Sequence, residues 1–212
     1  MKYIISMAVA MGVAFTLTWL FGTNNEQIKN ENKPSENKTE KAEQSAQAME
    51  TKAENADVAD DGIITAPLSG KAVKLENVPD QTFAQGILGL GAAIEPTEGK
   101  VVAPGDGKVE TLFDTFHAVG LTLDNGKELL IHVGINTVEL KGEGFKAYVS
   151  EGDRVTKGQT LLTFDMDFIK SKGYQTITPV LVGNSDEFAS VEELAEEGTE
   201  VTIGDKLIKV NA

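Results

Sequence analysis

His117 and His132 are the only histidines in this 212-residue chain, and it has no cysteine. Nucleophilic or proton-transfer chemistry that needs a group titrating near neutral pH therefore rests on these two imidazoles. The absence of cysteine removes disulfides, thiolate nucleophiles and every Cys-based zinc site. Other familiar sites are excluded by inspection. No Gly-x4-Gly-Lys-Ser/Thr loop is present to cradle phosphates, and Gly89-Leu90-Gly91 lacks the third glycine of a dinucleotide fingerprint. Ser69, in Pro67-Leu68-Ser69-Gly70, lacks the preceding glycine of a nucleophile elbow. Asp165 and Asp167 form a D-x-D pair that could serve acid–base work, although such pairs at strand ends are more often solvated edges.

The two histidines are brought together by the element between them. Asp124-Asn125-Gly126-Lys127 reads as a two-residue hairpin turn, because Asn-Gly tolerates the positive φ that a type I′ turn demands. With Asp124 opposite Lys127, His132 faces Val119, and His117 falls two residues away on the same face. Diagonal neighbours in an antiparallel ladder lie about 7–8 Å apart at Cα, close enough for two rings to lean together. Two histidines that converge across one hairpin, with no others in the chain, argue for a shared function over two unrelated buried side chains. A slip of one residue in register sends the rings to opposite faces. In this register the histidine face also carries Val119, Leu121 and Leu130, while Leu129, Ile131 and Val133 point the other way. Both faces are apolar, so one covers the core and the other is free for recognition.

The surrounding sequence supplies short strands. Residues 62–212 contain 19 glycines, and strand-like runs recur between turn signals: Lys100–Ala103, Ala118–Leu123, Leu129–Val133, Thr160–Phe164, Ile177–Val182 and Val201–Ile203. This spacing predicts an all-β fold, an antiparallel sandwich or barrel-like domain. Helix is scarce, with two short candidates, Val78–Gln85 and Val191–Glu197, Ser190 being the cap of the second.

Three regions differ in composition. Residues 4–21 run for 18 positions without a charge and span about 27 Å as a helix, close to the thickness of a bilayer core. A cleaved signal is the alternative, but only Lys2 precedes the run and Phe21-Gly22-Thr23-Asn24 comes after it, so residues 1–22 read as a membrane helix. Lys29, Lys33, Lys38 and Lys41 on its C-terminal side lean toward a cytoplasmic location for residues 23–212, against the single Lys2 before it. Residues 23–61 carry 5 Lys and 10 acids with no aromatic residue, the composition of a disordered acidic linker. Residues 62–212 form the folded part. The whole chain sets 19 Lys+Arg against 33 Asp+Glu, a formal charge of −14, which argues against nucleic-acid binding through a basic footprint.

Longer motifs carry two resemblances. Val102-Ala103-Pro104-Gly105-Asp106-Gly107-Lys108-Val109 and Glu151-Gly152-Asp153-Arg154-Val155-Thr156-Lys157-Gly158-Gln159 resemble the two halves of a biotinyl or lipoyl carrier domain. The lysine-bearing hairpin of such carriers is missing, so the likeness speaks for β-sandwich architecture and against a swinging-arm carrier. Far more extensive is a second likeness. Thr115-Phe116-His117-Ala118-Val119-Gly120, with Glu128-Leu129-Leu130-Ile131-His132-Val133-Gly134-Ile135-Asn136-Thr137-Val138-Glu139-Leu140-Lys141-Gly142-Glu143-Gly144-Phe145 after it, closely resembles the glucose-type enzyme IIA domain of the bacterial phosphoenolpyruvate-dependent sugar phosphotransferase system. The likeness runs from about Ile64 through Val180. In addition, Ala14–Gly22 looks like the end of the last helix of a IIC transporter domain in glucose- or β-glucoside-type permeases.

The resemblance implies an antiparallel β-sandwich with His132 as phosphoryl acceptor, His117 as its supporting imidazole and the Thr115 hydroxyl hydrogen-bonding in the same site. It implies the histidine-containing phosphocarrier protein as donor and a cysteine of enzyme IIB, in a IIB/IIC sugar permease, as recipient, at the cytoplasmic face of the bacterial inner membrane with residues 4–21 as anchor. No cofactor is required. A regulatory zinc bound through His117 and His132 would need a partner's carboxylate, because two imidazoles alone make an incomplete site. The alternative reading is a regulatory module that keeps the fold and docks transporters or kinases without turnover. Two departures stand out: Asn136 where the family usually has Asp, and Leu90 where it usually has a polar residue.

Overall fold

The computed structural model describes residues 61–212. The membrane helix expected at residues 1–22, and all but the last residue of the linker expected at residues 23–61, lie outside the described residues. Among the described residues, no helix is long and apolar enough to cross a membrane.

In chain order the elements begin with strands β1 (Ile63–Thr65) and β2 (Gly70–Lys74), then the short helix α1 (Gln81–Ala84). Beyond it lie β3 (Leu90–Pro96), β4 (Lys100–Val102), β5 (Gly107–Leu112), β6 (Ala118–Leu123), β7 (Glu128–His132) and β8 (Phe145–Ala147). Next come β9 (Arg154–Val155), β10 (Thr160–Phe164), α2 (Met166–Ser171), β11 (Thr178–Val182), β12 (Ser190–Glu193), β13 (Glu200–Val201) and β14 (Lys206–Asn211). The largest sheet has the order β13-β2-β3-β11-β7-β6-β5-β9, and two three-stranded sheets run β1-β14-β12 and β4-β10-β8. Their ladders are antiparallel, as the turn-punctuated short strands of the sequence predict.

Alternation within the strands explains how the layers pack. Val119, Leu121, Leu129 and Ile131 of β6 and β7 turn inward, where they join Leu161 and Leu162 of β10 and Leu207 and Ile208 of β14 in the main core. Strand β11 is buried on both faces: Val180 and Val182 enter the main core, while Leu181 joins a second, smaller cluster behind the sheet. That cluster contains Phe83 of α1, Ala93, Ile135 and Ile177, with Leu130 packed against it. It closes one end of the outer face of β3, β11 and β7, beside His132. The two carrier-like segments lie against each other: Ala103 N–H donates to Gln159 O at 2.9 Å, and Lys157 N–H donates to the Asp106 carboxylate at 2.7 Å.

Three local expectations are corrected. The first helix is shorter than Val78–Gln85, because Val78 precedes Pro79 and is held extended (φ −66°, ψ 131°). The helix therefore begins after Asp80, whose carboxylate accepts from Thr82 N–H at 2.8 Å. The helix expected at Val191–Glu197 is absent. Residues Ser190–Glu193 form β12, pairing with β14 from Ser190↔Asn211 to Glu193↔Ile208, so an open sheet edge overrides the local helix preference of the glutamates. Ser190 Oγ donates to Glu192 instead of capping a helix. Finally, the strand expected at Val201–Ile203 ends at Val201, where Thr202 and Asp205 close a turn through Thr202 N–H and the Asp205 carboxylate.

Candidate functional site

The histidine pair depends on the β6–β7 hairpin, and its register differs from the expected one. Ala118 pairs with His132, Val119 with Ile131 and Leu121 with Leu129. The connection is a three-residue loop, Asp124-Asn125-Gly126. Gly126 N–H donates to Leu123 O and Leu123 N–H to Lys127 O, both at 2.9 Å, with Gly126 at φ +83°. This is a type I turn completed by a left-handed glycine, the alternative to a two-residue type I′ turn for an Asn-Gly hairpin. Consequently Val119 and Leu121 share the core face with Leu129, Ile131 and Val133, and His132 shares the outer face with Leu130 and Gly120.

A regular pleat in this register would send His117 inward with Val119. The chain instead enters β6 through Phe116 in the left-handed region, at φ 55°, and His117 stands just before the strand. The backbone of His117 is nevertheless tied to β7, its carbonyl accepting from Val133 N–H at 2.7 Å. The rings meet edge to face with centroids 4.9 Å apart and planes at 83°. The convergence expected from the sequence is thus present, produced by an irregular strand entry and not by diagonal pairing.

Each ring is held at its Nδ1. His132 Nδ1 lies 2.9 Å from Gly134 O. A carbonyl oxygen only accepts, so the ring proton sits on Nδ1 and Nε2 keeps its lone pair. His117 Nδ1 lies 2.5 Å from Thr115 Oγ1. Phe83 packs on His132 at a centroid distance of 4.9 Å, and Phe113 meets His117 edge-on at 5.3 Å. His117 is only 5% exposed, whereas His132 is half-buried and so the more accessible of the two.

Burial disfavours the charged form of both rings. The His117 pKa is pushed down to about 4, first by burial and then by His132. His132 is likewise lowered below its ordinary 6.5 by burial, opposed by its bond to Gly134 and by the charge of Asp80. Both imidazoles are therefore neutral at pH 7, and the Nε2 lone pair of His132 is available. Since each folded-state pKa lies below the unfolded value, the unfolded chain binds more protons between about pH 4 and 6.5. Stability supplied by the neutral pair is full above that window and declines as the pH falls through it. In an NMR pH titration the His117 ring is expected to show a midpoint near 4, and the His132 midpoint is expected below 6.5. A midpoint above 6.5 for either ring would contradict the burial argument.

An apolar surface flanks the site. Phe113 is 43% exposed and Leu90 46%, and Ile87, Leu88 and Val138 are exposed as well. On the outer face of β5–β7, Leu88, Glu110, Gly120, Glu128 and Leu130 help line a groove of about 520 Å³. The exposure of Leu90 makes that departure from the family pattern a surface feature. Asn136, the other departure, adopts φ 59° and ψ 18° and opens the 3₁₀ turn Thr137–Leu140.

Other residues singled out in the sequence have structural partners. Asp165 caps α2 by accepting from Phe168 N–H at 2.9 Å, and Ser69 Oγ donates to the Glu98 carboxylate. Among the described residues, no group of three or more His, Cys, Asp or Glu side chains is arranged to hold a metal ion. Phe83, Phe113 and the Gly134 carbonyl escaped sequence reasoning. Phe83 reaches His132 only through the β3-β11-β7 order, and the carbonyl only through a left-handed glycine two residues beyond the histidine.

Comparison with known proteins bears on the family and the fold. The family of the phosphoenolpyruvate-dependent sugar phosphotransferase system, EIIA 1, matches residues 62–188. A PTS system glucose-specific EIIA component of Halalkalibacterium halodurans is 50% identical over 137 residues, covering 65% of this chain and 79% of the relative. One from Staphylococcus aureus is 47% identical over 135 residues, covering 64% and 81%. Among solved structures, the glucose permease IIA from Mycoplasma capricolum matches with a TM-score of 0.61 and 32% identity, covering 69% of this chain and 93% of that one. With the family match spanning more than half of its length, the chain belongs to the EIIA 1 family of the phosphoenolpyruvate-dependent sugar phosphotransferase system.

Proposed function

We propose that this protein relays phosphoryl groups for glucose uptake. Nε2 of His132 accepts the group from the histidine-containing phosphocarrier protein and gives it to a cysteine of an enzyme IIB domain in a IIB/IIC permease. The observation that supports this most directly is the His132 ring, whose Nδ1 is committed to Gly134 O at 2.9 Å so that Nε2 is left as the nucleophile. Glucose is the sugar named for the relatives.

In the first step an N–P bond forms at His132 Nε2 as the donor's N–P bond breaks, and the bonding pair returns to the donor imidazole. In the second, an S–P bond forms at the cysteine thiolate and His132 recovers its lone pair. Between them the N–P bond keeps a transfer potential that a serine ester would lose. His117 supports both steps. In this mechanism the Thr115 hydroxyl, 2.5 Å from His117 Nδ1, donates to that nitrogen, which leaves the His117 proton on Nε2 to donate to the phosphoryl oxygens as their charge is redistributed. The steps need neither metal nor nucleotide. A regulatory zinc on His117 and His132 would take its further ligand from a partner's carboxylate.

The exposed apolar rim is the docking surface for donor and recipient, and residues 4–21 anchor the chain at the cytoplasmic face of the membrane. Onward transfer distinguishes the relay from a docking module. Phosphorylated protein mixed with a cognate IIB domain is expected to lose its label to the IIB cysteine. A phosphoprotein that keeps its label in the presence of IIB would contradict the relay and favour the regulatory reading.

A further inference from the structure

The orientation of the His132 ring depends on a carbonyl, and that carbonyl is itself held from two sides. The peptide unit joining Gly134 to Ile135 presents its C=O to His132 Nδ1 and its N–H to Gln175 O, at 2.9 and 3.1 Å. The preceding unit, joining Val133 to Gly134, presents its C=O to the hydroxyl of Thr137 at 2.5 Å. Both peptide planes that meet at Gly134 are therefore pinned, and Gly134 between them sits at φ +74°. Thr137 also packs against this glycine: a Cβ on Gly134 would come within 2.5 Å of Thr137 Cγ2 and 2.6 Å of Gln175 O. Thr137 is fully buried, so it cannot touch an incoming protein partner.

The geometry points to Thr137 as a positioning residue for phosphoryl transfer: its hydroxyl fixes the Val133 carbonyl, which orients the Gly134 carbonyl that holds the His132 proton on Nδ1. The inference rests on His132 as acceptor. Without the hydroxyl the Val133 carbonyl loses this partner, so the peptide unit joining Val133 to Gly134 is released on its carbonyl side, Gly134 gains freedom about φ, and its carbonyl no longer faces Nδ1 continuously. The Nε2–H tautomer then becomes populated, and each molecule in that state lacks the nucleophilic lone pair.

The test compares Thr137→Val and Thr137→Ala, which remove the hydroxyl, with Thr137→Ser, which keeps it, all in the full chain. Long-range ¹H–¹⁵N spectra of the unphosphorylated proteins read the His132 tautomer without any transfer reaction. The Nδ1–H form should dominate in the native protein and Thr137→Ser, with the Nε2–H form appearing in Thr137→Val and Thr137→Ala. With phosphorylated carrier protein as substrate, both hydroxyl-less variants should show a kcat reduced about tenfold at unchanged KM, and Thr137→Ser should restore most of it. An unaltered tautomer population and kcat in Thr137→Val would overturn the assignment. So would failure of both hydroxyl-less variants to fold, which would make Thr137 a structural residue. If the tautomer shifts as expected but native His132 takes up no phosphoryl group, the acceptor reading fails and the positioning of the ring stands.

Discussion

The His132→Ala protein is expected to take up no phosphoryl group at any concentration of phosphorylated carrier. The substitution removes the nitrogen whose lone pair is exposed by the Nδ1 bond to Gly134. His117 is no substitute: its Nδ1 is engaged by Thr115, and the residue is 5% exposed, with Phe113 against its ring on one side. Because His132 is half-buried on the outer face and not part of the main core, its truncation should leave the sandwich folded. Intact-mass analysis after incubation with phosphoenolpyruvate, enzyme I and the carrier reads the outcome. A mass gain of one phosphoryl group in the variant would show that the acceptor lies elsewhere.

His117→Gln should fail differently, because it removes a supporting group and leaves the nucleophile. An amide can still pair with Thr115, but it does not place the ring N–H of His117 against His132, whose centroid is 4.9 Å away. Hydrogen bonds that strengthen as charge develops typically contribute about 2–4 kcal/mol to a transition state, a factor of roughly 30 to 1,000 in rate. Acceptance and donation are both expected to slow by a factor in that range, while the equilibrium level of the adduct falls much less, since the ground state loses less than the transition state. Rapid-quench kinetics in each direction separates the two. Unchanged rates in both directions would mean that the two imidazoles do not act as one site.

Much of this architecture was legible in the residues. The antiparallel β fold was signalled by short runs between Gly-rich turns, and β6 and β10 occupy their expected spans, Ala118–Leu123 and Thr160–Phe164. The hairpin itself was announced by Asn125-Gly126, but an Asn-Gly pair fits both a two-residue and a three-residue loop, and only tertiary packing decides between them. Core burial of Val119 and Leu121 opposite Leu129 and Ile131 selects the latter. The proximity of the histidines was then reached through a register that is one residue off, compensated by the left-handed Phe116, which no local pattern signals. Glu192 and Glu193 illustrate the opposite limit: their sequence favours helix, yet the unpaired edge of β14 draws them into a strand. The supporting shell was the least visible part. Phe83 and Gly134 meet His132, and Thr137 meets the Val133 carbonyl, across a sheet order and a loop geometry that residue spacing does not encode.

The most direct test of His132 as acceptor is the location of phosphorus on the phosphorylated, ¹⁵N-labelled protein. Correlated ¹H–¹⁵N and ³¹P spectra identify both the residue and the ring nitrogen. The relay mechanism predicts a single phosphoramidate at Nε2 of His132, with Nδ1–H still donating to Gly134, and an adduct that is labile in acid and stable in alkali. Phosphorus on Nδ1 of His132, on His117, or in an alkali-labile ester to serine or threonine would contradict it.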